Sequence, residues 1–159
     1  MLWTNRGKFL LLDWVFHAEA MPDTFYVVLI TGDNVPTVDT NTLSELIEIV
    51  EGNGYDEGGY ELFIDTSTPD FDVFTEDDVN DRALVQLKDI IWDASSGGTI
   101  PPSGNGARYA ILTDGTGESG ETLGVRQVLA VWDLLYSRTV PAGERLTLAD
   151  CELRAVEPS

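Results

Sequence analysis

Hydrophobic positions between Lys8 and Ala20 fall at helical spacing, with Phe9, Leu12, Val15 and Phe16 on one arc and Leu10, Leu11 and Trp14 widening it beyond a single face. The pattern predicts an N-terminal helix over 8–20, buried on most sides and preceded by an arm of residues 1–7. Met21-Pro22-Asp23 breaks the helix, and FYVVLIT (Phe25 to Thr31) is a β-branched and aromatic run whose continuous apolarity predicts a central strand. Thr42 and Glu45 have the form of a capping box ahead of Leu43, Leu46, Ile47 and Val50, which predicts a further short helix ended by Gly52 and Gly54.

From there the periodicity turns to strands: Tyr60 to Ile64, Asp70 to Phe74, Ala83 to Trp92, Arg108 to Thr113, Val125 to Leu135, Glu144 to Leu148 and Cys151 to Val156. Glycine- and proline-bearing connections separate them, as in 95–106 and 114–124. The fold class expected is mainly β with a minor α component, a β-sandwich or jelly-roll-like domain covering 8–159. Neither Arg108–Thr113 nor Gln127–Leu134 has one clean polar face. Strands apolar on both faces need cover, from helices or from neighbouring subunits.

Charge narrows the function. Twenty-eight acidic against nine basic residues give a formal net charge of -19 over 159 residues. Such a surface repels nucleic acid and anionic membranes, so neither is expected as a partner. The hydrophobic fraction of 43% and four tryptophans argue for a folded core. Arg6 and Lys8 ahead of Phe9 to Val15 superficially resemble a signal-peptide start, but Asp13 interrupts the apolar run, and a soluble product made in the cytosol is expected.

Candidate chemistry is sparse, and no enzyme is expected. Asp70, Asp72, Glu76, Asp77, Asp78 and Asp81 alternate in a way that suits a hard cation such as calcium, but the glycine and terminal glutamate of an EF-hand loop are missing. A solvent-facing acidic loop, with no metal or other cofactor, is the expectation. Pairs such as Asp39 with Asp56 or Glu57 meet the composition of a glycosidase, as dozens of pairs do among so many acids. His17 has no second histidine to form a metal cluster, and Cys151 sits between Asp150 and Glu152, which disfavour a thiolate. The glycines at 52, 54, 97 and 98 lack the strand–loop–helix order and lysine of a phosphate loop. Trp92 and Trp132 read as core. Leu2, Trp3, Phe9 and Trp14 are the candidate contact residues toward another subunit.

Several segments together resemble a group of small tailed-bacteriophage virion proteins, the head-decoration and tail-fibre-like group. They are LLLDWVF (Leu10 to Phe16), FYVVLIT, GNGYDEGGY (Gly52 to Tyr60), DFDVFTEDD (Asp70 to Asp78), ARYAILTD (Ala107 to Asp114), VWDL (Val131 to Leu134) and RTVPAGERLTL (Arg138 to Leu148). The resemblance covers nearly the whole chain and rests on structural motifs, so it implies no catalytic residue. It implies a virion structural protein; with the acidity favouring the exterior, the expectation is a capsid decoration (cement) protein, made in the host cytoplasm and placed on the outer head surface, in contact through Leu2, Trp3, Phe9 and Trp14 with the major capsid protein and with copies of itself, a trimer favoured. The alternatives are a tail-tip or tail-fibre-associated protein and a carbohydrate-binding module. An inner-wall position is disfavoured, because acidic surface would face packaged DNA.

Overall fold

A computed structural model describes residues 1–64, 70–94, 97–115 and 125–156, with the backbone alone at position 72. The chain is mainly β, as its patterning predicts. Among the described residues ten strands form three antiparallel sheets: β1 (Leu2–Trp3), β2 (Thr24–Ile30), β3 (Tyr60–Phe63), β7 (Ala107–Asp114) and β8 (Val128–Arg138) in the order β1-β8-β7-β2-β3; β4 (Phe71–Asp77), β5 (Arg82–Leu87) and β10 (Glu152–Val156) in the order β10-β5-β4; and β6 (Ile90–Asp93) paired with β9 (Arg145–Leu148). The run read as one strand over 83–92 is two, parted at Lys88-Asp89, and the halves join different sheets.

The arrangement is sandwich-like. Register places Val27, Leu112, Ala130 and Trp3 in one row across the large sheet, and Val28, Ile111, Val131 and Leu2 in the next. Because successive side chains alternate faces, the two rows serve opposite sides. The first side, with Phe25, Leu29 and Trp132, packs against Leu87 and Leu153 of the three-stranded sheet and Ile90, Trp92 and Leu148 of the two-stranded one. The second side, Val28, Ile30, Tyr109, Ile111, Val128 and Val131, is closed by Leu43 and Leu46. The cover that the two-sided apolar strands require is therefore an irregular segment of the chain itself.

That segment departs from the helix predicted after Thr42. The capping box forms, with Glu45 Oε1 accepting from the Thr42 amide at 2.8 Å, but the helix is a single 3-10 turn, Leu43–Glu45. Beyond it Ile47 and Ile49 run extended along the edge of β2 that β3 leaves open: the Thr31 amide donates to Ile47 O at 2.8 Å and the Ile49 amide to Leu29 O at 3.0 Å. Buried strand amides and carbonyls need partners, and this need outweighs a helical spacing of four apolar side chains. The next orphan on the same edge, the Leu29 amide, donates to the Tyr55 hydroxyl at 3.1 Å. Tyr55 is fully buried and donates in turn to Glu48 Oε1 at 2.6 Å, which also accepts from the Gly58 amide at 2.7 Å. Burial holds the Glu48 carboxyl above its ordinary range, against the lowering pull of those two hydrogen bonds.

Candidate interaction surface

Residues 1–7 are not a free arm. Leu2 and Trp3 pair antiparallel with Val131 and Ala130, and Thr4, fully buried, donates its amide to Leu129 O at 3.0 Å and its hydroxyl to Val128 O at 2.5 Å. The same hydroxyl accepts from the Gly7 amide at 2.8 Å, which makes Thr4 the N-cap of helix α1 (Asn5–Phe16). The helix thus starts three residues earlier than its hydrophobic pattern predicts and stops at His17, whose amide donates to Asp13 O and whose Nδ1 lies 2.7 Å from Asp13 Oδ1.

Gly7 decides how the helix sits. A Cβ there would come 2.3 Å from Leu129 O, so the helix backbone lies directly on β8 at the position without a side chain. Gly7 and Leu10 are its buried residues, and Trp14 reaches the core edge-on to Phe25, with centroids 5.9 Å apart. The rest of the apolar arc turns outward: Phe9 is 52% exposed, Leu12 57%, Val15 65% and Phe16 75%. With Leu11 this leaves roughly 600 Å² of apolar side chain in water on one helix, the upper end of the largest patch on a typical monomer. The expectation of a helix buried on most sides is overturned, because docking through a glycine uses the narrow side of the helix.

Beside this face opens an apolar cleft of about 620 Å³ between α1, the large sheet and the three-stranded sheet. Phe25, Leu112, Leu129 and Leu153 are its buried floor, while Leu11, Met21, Phe63 and Phe74 stand exposed on its rim. Trp3 and Trp14 line it, and the indole N–H of Trp3 is already committed to Arg154 O at 2.8 Å. Among the described residues no charged side chain lines the cleft.

Of the four contact residues named from sequence, Phe9 stands on the outer helix face, under the Arg6 guanidinium at 5.2 Å, and Leu2 is partly open. Trp3 and Trp14 belong to the cleft wall. Leu12, Val15 and Phe16 are the surface residues that sequence reasoning missed; their signal was an arc of apolar residues too wide for one docking face.

The acidic stretch is corrected in form. It is not a loop but strand β4 and the turn into β5. Asp70 is buried, not solvent-facing: it accepts from the Phe63 amide at 2.9 Å and pairs with Lys88 Nζ at 2.5 Å. Burial works against the Lys88 charge, but Asp70 and Tyr60 outweigh it and hold the ammonium above its ordinary pKa. Asp77 caps the turn, accepting from Asn80 Nδ2 at 2.8 Å and Arg82 Nε at 2.7 Å, which lowers its pKa. Glu76, Asp78 and Asp81 are exposed, and the side chain of Asp72 lies outside the described residues.

Among the described residues no three His, Cys, Asp or Glu side chains are grouped to hold a metal ion. Cys151 is buried, and burial, aided by Asp150 and Asp89, pushes its thiol up to about 11. Among the described residues no helix is long and apolar enough to cross a membrane. Compared with protein-family models, with curated proteins and with solved structures, the chain matches none.

Proposed function

We propose that this chain is a structural protein of a phage virion, a decoration protein that sits on the outer head surface and reinforces capsomer junctions. The observation that carries the reading is the outer face of α1: a broad apolar surface, built on a rigid sheet, in a chain whose acidic residues otherwise keep it apart from other molecules. An apolar face of this size marks a protein-binding site more often than a solvated one. The wide acidic remainder suits the side turned to water, and the resemblance of the segments quoted above supplies the virion setting. Many modest contacts add up when a shell presents the same site repeatedly.

The test is a copy count of the chain in purified virions by quantitative gel. Hundreds of copies per particle fit decoration. A handful moves the assignment to the tail tip or fibre, and absence from the particle ends the virion reading. Deleting residues 1–7 is the wrong probe, since it removes β1 and the buried Thr4; exchange of exposed helix residues, such as Leu12→Asp with Phe16→Asp, tests loading without touching the core.

A further inference from the structure

We infer that the outer face of α1 is where two copies of this chain meet, helix against helix. The inference rests on the structural reading above and names the first partner of the same surface.

Three observations select a second copy as the occupant. The first is area. A standard interface takes about 800 Å² from each partner, a little more than half of it apolar, and α1 alone offers roughly 600 Å² of apolar surface. The second is charge. Residues up to His17 hold Arg6 and Lys8 against the single carboxylate of Asp13, whereas the other 27 of the 28 acidic residues lie beyond. Contact through Phe9, Leu12, Val15 and Phe16 therefore joins two strongly anionic molecules along a strip of α1 that carries no carboxylate of its own, with Asp39 at Asn5 and Glu19 flanking its ends. The third is composition. The residues outside the described structure are Asp65 to Pro69, Ser95-Ser96, Thr116 to Gly124 and Glu157 to Ser159, and Leu123 is the one large apolar side chain among them. They hold too little apolar surface to cover Phe9, Leu12, Val15 and Phe16.

Pairing through identical patches is the commonest form of self-assembly, and the apolar cleft lies beside the contact, with Leu11 shared between the two. A copy approaching α1 also closes the open rim at Leu11 and Met21. Repulsion between the two acidic bodies opposes the contact, so pairing strengthens as salt screens it.

The experiment is sedimentation equilibrium of the full chain at about 0.02 M and about 0.5 M salt, with light scattering as a second measure of mass. The expected result is a mass of at least two copies, with a dissociation constant that falls as salt rises. Leu12→Asp with Phe16→Asp should weaken pairing by at least roughly tenfold while the near-ultraviolet circular dichroism stays that of the parent. Tyr136→Asp, exposed near the far end of β8 from the Leu129 contact with the helix, should leave pairing within about threefold. A monomer at every concentration and salt overturns the inference, as does a dimer indifferent to the helix exchange. Flotation of a monomer with neutral phosphatidylcholine vesicles overturns it in favour of a lipid surface. A monomer that still loads onto heads removes the pairing and leaves the decoration reading standing; a helix-paired protein absent from virions does the reverse.

Discussion

Strand β2 and helix α1 each carry a run of large apolar side chains, and the two runs meet opposite fates. Val27, Val28, Leu29 and Ile30 are wholly buried, whereas Phe9, Leu12, Val15 and Phe16 lie mostly in water. β2 has a pairing strand on each side and a core on each face, so both sets of its alternating side chains are enclosed. α1 touches the sheet along one narrow line through Gly7, Leu10 and Trp14, and among the described residues nothing buries Phe9, Leu12, Val15 or Phe16 on its other side. Apolar side chains therefore contribute folding energy in one place and stay in water in the other. The deciding factor is how many neighbours an element acquires.

The contrast is broken most sharply by placing the same charge in both. Val28→Asp should cost at least about 4 kcal/mol and leave little folded protein, since a carboxylate in that core has no partner. Phe16→Asp, compared at a protein concentration low enough to keep both proteins monomeric, should change stability by no more than about 0.5 kcal/mol. Chemical denaturation of the two variants checks this, and a large loss in Phe16→Asp would remove the outward helix face.

Gly7→Val is the next largest effect. Its side chain collides with the Leu129 carbonyl, so the helix must lift from β8, at a cost of about 2–3 kcal/mol. Trp14 fluorescence should shift to the red as the cleft opens. Tyr55→Phe then probes the polar side of enclosing β2. It leaves the Leu29 amide and Glu48 short of a partner, and a loss of about 1–3 kcal/mol is expected in thermal or urea unfolding.

Glu48→Gln sharpens the same point through pH. The carboxyl is held above its ordinary range in the folded state, chiefly by burial, so the folded protein binds this proton more tightly than the unfolded chain does. Its contribution is complete below the unfolded pKa, near 4.5, and is lost as pH rises through the folded value. The stability difference between parent and Gln variant should therefore move against the parent from pH 4 toward neutrality, measured by unfolding at each pH. The smallest effect concerns Cys151: with its thiol near 11, a disulfide reagent at pH 8 should label it far more slowly than a model thiol until the protein is unfolded.

Much of this protein was legible in its residues. The β class, the position of β2, the strand at 107–114 and the turn chemistry between strands follow from alternation and glycine placement, which act locally. Thr42 and Glu45 likewise formed the capping box their spacing predicts. What lay beyond the sequence was whatever depends on a distant neighbour. Ile47 and Ile49 could not reveal that an open edge of β2 would claim their backbone, nor Asp70 that Lys88 and the Phe63 amide would bury it. Gly7 gave no sign that a carbonyl of β8 waited against it, and so the helix could be foreseen but not the face it would leave exposed. Local propensity and side-chain pattern fix which elements form, because they act within a few residues; which surface each element keeps is settled by contacts between segments more than a hundred residues apart, as between Thr4 and Val128.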